Sequence, residues 1–268
     1  MSTQLPGRFA FLGSGIIAEL WISRLISTGS LTPERIMVCD ICPGRQQELR
    51  ERFRVLAGGS NREGAEFADT IVLAPPPGET LKVLREVSVA LDPRKAVISL
   101  AAGLALGRLE AEAKPSQAIR IMPNTPGQVG EAMNLVAYGR TVHEERRGQI
   151  ENLLKRLGCW LEVEDEQMDL WCALCAVGPT YVFPVIEALA SSAAAKGLPP
   201  GAALEAAAQV VAGAARMVQH SGKTIPQLKE MISIRTLREP EAAKLFGDAY
   251  EEAVAKLLGL GQRLSAAA

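Results

Sequence analysis

The chain has 268 residues, 48% hydrophobic and 22% charged, with a formal net charge of −1. That length fits one large domain or two modest ones, and the composition is that of a globular chain able to bury a core. Near-neutral charge, with lysines and arginines scattered rather than striped, argues against a nucleic-acid partner.

The first eight residues lack the basic and apolar regions of a signal peptide, so a cytoplasmic location is expected. Phe9 to Leu20 then reads FAFLGSGIIAEL, an apolar run entering Gly13-Ser14-Gly15 and leaving as a helix. This is G-x-G-x-x-A, with Ala18 where a third glycine often sits. Gly13 permits a tight turn, Gly15 lets a pyrophosphate approach the backbone, and Ala18 lets the helix lie close on the strand. The N–H groups around Ser14, Gly15, Ile16 and Ile17, at the positive end of the helix dipole, face such a phosphate. Asp40 ends the next strand about 20 residues on, as the fingerprint requires.

Up to about residue 164, short apolar runs alternate with amphipathic segments. Strands are predicted at Arg8–Leu12, Arg35–Asp40, Thr70–Ala74, Ala96–Leu100, Ala118–Met122 and Asn134–Gly139. Helices are predicted at Ile16–Thr28, Arg45–Arg54, Glu79–Val89, Leu106–Ala113 and Glu144–Leu157. The pattern is α/β, a Rossmann-type, mostly parallel sheet covered on both faces, with ligands at the carboxyl ends of its strands.

The segments after those strands are therefore the ones to inspect. Ala74-Pro75-Pro76-Pro77-Gly78 is stiff and short of backbone donors, and reads either as a wall for a nicotinamide or as a rigid turn. Ala101-Ala102-Gly103 is small enough for close approach of a ligand. Asn124, between Pro123 and Pro126, offers an amide at the mouth of the cleft, either to a ligand or to its own turn.

Past residue 165 alanine becomes dense and strand signals vanish. Helices are predicted at about Glu166–Lys196, Pro200–Ser221, Ile225–Ile232 and Glu239–Gly259, giving a dinucleotide-binding domain over 1–164 and a helical domain over 165–268. The apolar run Leu170–Ala195 contains Pro179, Pro184 and Glu187 and reads as a buried helix, so no membrane partner is expected. A helical lobe this thin is expected to bury itself against a partner subunit. Two C-x-x-C pairs, Cys39/Cys42 and Cys172/Cys175, fall on a strand end and on a helix. They read as small buried thiols, with no metal or redox site expected.

The chain resembles the pyrroline-5-carboxylate reductase family. The likeness is carried by FLGSGIIA, by SLAAGL (Ser99–Leu104), by RIMPNTPGQVGEAM (Arg120–Met133) and by VGPTYVFPVIEAL (Val177–Leu189). The resemblance implies a dinucleotide domain, a helical dimerisation domain, a homodimer or higher oligomer through the C-terminal helices, and active sites where the lobes meet across subunits. It also implies hydride transfer from NAD(P)H to the carbon of a cyclic imine, with Gly178 and Pro179 at the substrate. The family grips the substrate carboxylate with a Ser-Pro-Gly-Gly-Thr-Thr stretch, an anion nest.

Here Ile234-Arg235-Thr236-Leu237-Arg238-Glu239 stands in that place, keeping one hydroxyl and losing the paired glycines. Ala176-Val177 replaces the family's Gly-Ser before Gly178, and Pro75-Pro76-Pro77 replaces its Val-Lys-Pro. Three readings follow. Arg235 or Arg238 grips a carboxylate beside Thr236, with Glu239 or a water supplying the proton. Alternatively the pocket takes a different imine or carbonyl, or hydride transfer is lost and the protein is a cofactor-binding sensor or assembly partner. For the cofactor, Asp40 favours NADH, whereas Arg45 is placed to pair with the 2′-phosphate of NADPH.

Overall fold

The computed structural model describes residues 5–266. Its packing forms two compact units: one comprises the chain through Val177 together with the segment from Ala253, the other Gly178–Glu252.

The first unit follows the strand–helix alternation of the sequence. In chain order it contains β1 (Phe9–Leu12), α1 (Ile16–Ser27), β2 (Ile36–Cys39), α2 (Pro43–Phe53), β3 (Leu56–Ala57), α3 (Asn61–Phe67), β4 (Thr70–Leu73) and α4 (Thr80–Glu86). It continues with β5 (Ala96–Ser99), α5 (Leu106–Ala113), β6 (Gln117–Met122), β7 (Ala132–Tyr138), α6 (Glu144–Leu157), β8 (Gly158–Glu162) and α7 (Met168–Cys175). The strands form an 8-stranded sheet in the order β3-β2-β1-β4-β5-β6-β7-β8. All neighbours are parallel except β6 and β7, which run antiparallel in the register Met122 to Leu135 and Ile119 to Tyr138.

The sheet is buried on both faces. In β1, Phe9 and Phe11 point into one core with Trp21 and Leu25 of α1 and Leu153 and Leu154 of α6. Ala10 and Leu12 point into the other core with Ala65 of α3, Leu84 of α4, Leu109 of α5 and Met168 of α7. Two-sided burial explains why these strands read as continuous apolar runs rather than alternating ones.

Three elements went unpredicted. β3 and α3 follow α2, and β8 closes the far edge. The predicted single helix Glu166–Lys196 is two: α7 ends with the N–H groups of Ala176 and Val177 both donating to the Cys172 carbonyl, and a new helix starts at Pro179. Proline has no N–H to continue the earlier ladder but suits the first turn of the next helix.

The second unit contains α8 (Pro179–Ala194), α9 (Pro200–His220), α10 (Ile225–Glu230) and the first half of α11 (Glu239–Ala266). α8 and α9 pack through alanines: Ala190, Ala203 and Ala207 are buried. Their outer faces are not. Phe183 is 61% exposed and Leu189 50% exposed, so the stretch Leu170–Ala195, expected to be buried, buries Cys172, Ala173 and Ala190 but leaves its outer face uncovered within one copy of the chain. The stretch Asp165–Ala194 is long and apolar enough to cross a membrane by length and composition alone, but its helix breaks at Gly178-Pro179.

Candidate active site

The carboxyl ends of β1, β2 and β4 converge on Gly13. Its N–H donates to the Cys39 carbonyl (2.8 Å), and the Ala74 N–H donates to the Leu12 carbonyl (2.8 Å). Gly13 has φ +94, and a Cβ placed there would lie 2.6 Å from the backbone of Ala74 and Pro75. No other residue fits this crossing of three loops. Gly15 is different: a Cβ there would meet nothing within 4 Å. The space above it is open, and no side chain caps the N-terminus of α1, where Ile16 is 76% exposed. Uncapped N–H groups at a helix start beside a bare glycine fit a pyrophosphate. Ala18 is fully buried and lets α1 lie on the sheet.

Ser14 is fully buried, and Asp40 holds it there. The Ser14 N–H and Oγ both donate to Asp40 Oδ2 at 2.7 Å, while Cys42 N–H donates to Oδ1 at 2.8 Å. Partial burial raises the Asp40 carboxyl, but these three donors outweigh it and hold the group below the usual carboxylate range. Asp40 is thus both the acid at the end of β2 and the clamp of the glycine loop. Sequence spacing supplies the first role and hides the second.

Arg45 reaches back to the same loop. Its Nε donates to the Ser14 carbonyl (2.8 Å), and its two terminal nitrogens pair with Glu48 (2.7 Å) and Glu19. Glu19, on the first turn of α1, also pairs with Arg52 through its other oxygen. A 2′-phosphate would have to compete with these carboxylates for Arg45.

Two expected ligand contacts have other occupations in this unit. Gly103 (φ +72) accommodates a helix: a Cβ there would come within 3.0 Å of Gly261 N and 3.1 Å of Leu260 Cγ in α11. Its small size is therefore consumed by helix packing, and close approach of a ligand is left to Ala101 and Ala102. Asn124 is 8% exposed, and its Nδ2 donates to the Cys175 carbonyl (3.0 Å) while its Oδ1 accepts from Met133 N–H (3.2 Å). That amide ties the loop after β6 to the end of α7. The proline segment does form a rigid wall: Ala74 is tied to β1, and Glu79 N–H closes a turn on the Pro76 carbonyl.

Sequence reading missed Arg120. Buried in β6, it pairs with Asp165 (2.7 Å) and Asp169 (3.0 Å), and Asp165 in turn accepts from Leu106 N–H (2.7 Å). The cluster locks α5 and α7 to the sheet behind the loops. Its members lie 45 and 49 positions apart, so no local spacing reveals them.

In the second unit, the segment Ile234–Glu239 is exposed. Ile234 is 80% exposed, and Arg235, Leu237, Arg238 and Glu239 line an open depression of about 510 Å³. Arg238 pairs with Glu241 (3.0 Å) and Lys229 with Glu239 (2.6 Å). The Lys229 hydrogen bond holds Glu239 below its ordinary range, so at neutral pH it is an anion rather than a proton donor.

Two stretches of the chain match known families. Residues 165–257 match the model of the pyrroline-5-carboxylate reductase dimerisation family, and residues 8–103 match a family described as NADP oxidoreductase, coenzyme F420-dependent. The chain is 34% identical to a pyrroline-5-carboxylate reductase of Corynebacterium melassecola, over 92% of this chain and 94% of that one. It is 31% identical to its Escherichia coli K12 counterpart, over 96% and 98%. Among solved structures, Plasmodium falciparum pyrroline carboxylate reductase with NADP bound shares the fold, with a TM-score of 0.86 at 24% identity over 96% of this chain and 99% of that one. The match of residues 165–257 to a dimerisation family accounts for the uncovered helix faces: the C-terminal helices form a homo-oligomer.

Proposed function

The chain belongs to the pyrroline-5-carboxylate reductase family, and on that premise we propose that it reduces the C=N bond of pyrroline-5-carboxylate to give proline with NAD(P)H. The carrying observation is the cradle at residues 13–17, with its open space over Gly15 and its uncapped helix start. When bound, the reduced nicotinamide supplies a hydride to the imine carbon.

The chain's own residues do the rest. N–H groups of Gly15, Ile16 and Ile17 form the phosphate cradle, because the Ser14 N–H expected among them is donated to Asp40. Asp40 addresses the ribose hydroxyls, and Ala74, Pro75, Pro76, Ala101 and Ala102 wall the nicotinamide half and exclude water. Asn124 acts as a positioning residue through its bonds to Cys175 and Met133. For the substrate, Gly178 and Pro179 shape the pocket and Arg235 with Thr236 takes the carboxylate, because Arg238 is engaged by Glu241. Water delivers the proton to the imine nitrogen, given that Glu239 is held as an anion by Lys229. Cytoplasmic residence belongs to the same proposal, supported by five cysteines that are all free thiols.

One observation favours a second reading within the same chemistry. The exposed Ile234–Glu239 segment offers side-chain cations instead of backbone N–H groups, which suits a larger or differently placed carboxylate than the nest does. The test is the loss of reduced-nicotinamide absorbance on mixing the protein and cofactor with pyrroline-5-carboxylate. Turnover at enzyme-like rates supports the proposal and makes the arginine segment a working substitute. Cofactor binding without turnover transfers the reading to another cyclic imine, or to a non-catalytic sensor if a panel of imines is equally inert.

A further inference from the structure

We propose that Asp40 and Glu19 together make this chain select NADH over NADPH, although a matched relative carries NADP. The inference rests on the reading of residues 13–17 as a dinucleotide cradle.

The argument is one of charge at a defined place. A nicotinamide dinucleotide in such a cradle presents its adenosine ribose to the acid that ends β2. That acid is Asp40, partly exposed and held in its charged form by Ser14 and Cys42. A free 2′-hydroxyl donates to a carboxylate. A 2′-phosphate, carrying between one and two negative charges, is repelled by it unless a cation intervenes.

The cation that acts on Asp40 is Arg45, and each of its three guanidinium nitrogens already has an acceptor. Nε is on the Ser14 carbonyl, one terminal nitrogen on Glu48 and the other on Glu19. Glu19 also takes Arg52 with its second oxygen, so a single carboxylate on the first turn of α1 engages two guanidiniums of α2. Arg45 and Glu19 side chains are 24% and 23% exposed, which shields their pairing from solvent more than a surface pair would be. Asp40, Glu19 and Glu48 thus outnumber Arg45 and Arg52, and the cluster carries net negative charge before any ligand arrives. Glu19 is therefore a specificity-determining residue that need not touch the cofactor.

Dissociation constants for NADH and NADPH, measured by titration of nicotinamide fluorescence or by calorimetry, test this without turnover. The unmodified protein is expected to bind NADH about tenfold more tightly, equivalent to about 1.4 kcal/mol. Glu19→Gln, which removes the carboxylate shared by Arg45 and Arg52 and frees one terminal nitrogen of Arg45, should tighten NADPH several-fold relative to NADH. Asp40→Asn should narrow the ratio mainly by weakening NADH, and a melting curve shows whether its glycine loop still folds. Equal or tighter binding of NADPH by the unmodified protein overturns the proposal, as does a ratio unmoved by Glu19→Gln. Failure of both cofactors to bind overturns the cradle reading itself, and is distinct from binding without preference.

Discussion

The two compact units carry similar apolar side chains and use them in opposite ways. In the sheet unit, both faces of every central strand are covered by the chain's own helices, and Phe11, Trp21, Leu73 and Ile98 are fully buried. In the helical unit, burial stops at alanines between α8 and α9, while Phe183, Leu189, Leu204, Val210 and Met217 face outward. Each large apolar side chain left in water forgoes about 1.5–3 kcal/mol of burial. The sheet unit therefore stabilises itself, whereas the helical unit draws its stability from another copy. The first should be indifferent to protein concentration and the second should not.

The largest effect should come from inside the sheet unit. Arg120→Ala leaves Asp165 and Asp169 as partly buried carboxylates without their cation, and is expected to cost about 3–5 kcal/mol. Chemical denaturation at two protein concentrations checks it; a loss below about 1 kcal/mol would show that the cluster does not lock this unit. Next come Phe183→Asp and Leu204→Asp, each placing a charge on an outer helix face. Light scattering should show dissociation weakened oligomers, with association at least about a hundredfold weaker, while the sheet unit's unfolding is unchanged. An oligomer that survives both variants would place the interface elsewhere.

The smallest effect concerns two thiols in the sheet unit. Burial pushes Cys39 and Cys172 up to about 11 from an ordinary value of 9.0. A raised folded value means the stability they contribute is complete below pH 9 and is lost as pH rises through about 11. The loss should reach about 2 kcal/mol for each, and an alkaline denaturation series tests it. The same burial should protect both from alkylation at pH 8, whereas exposed Cys42 should be labelled.

Much of the first unit was legible because its signals are local. Gly13-Ser14-Gly15 follows an apolar run and opens a helix, and the structure realises that pattern as strand, crossing point and uncapped helix start. Signals spread over the chain were not legible. β3 is only Leu56–Ala57, an exposed edge too short to show alternation, although Gly58 and Gly64 beside it are where a Cβ would strike Cys39 Sγ. The smallness of Gly103 was visible, but the helix that needs it lies near the other end of the sequence. Asn124 and Asp40 were visible as polar residues at strand ends, but their donors and acceptors come from Cys175, Met133, Ser14 and Cys42. Sequence patterns report what a residue can do; the fold decides how much of that capacity is already spent.

The return of α11 to the sheet unit bears on how the protein is made. Leu257 packs against one core, Gly261 seats on Gly103, and Arg108 donates to the Leu264 carbonyl at 2.6 Å. The segment that completes the first unit is thus translated after the whole of the second. A nascent chain with its first 177 residues outside the ribosome has every strand of the sheet, yet the loop after β5 still lacks the helix it packs against. That unit closes only once the segment from Ala253 has emerged, which puts its completion after synthesis of the whole second unit rather than before it.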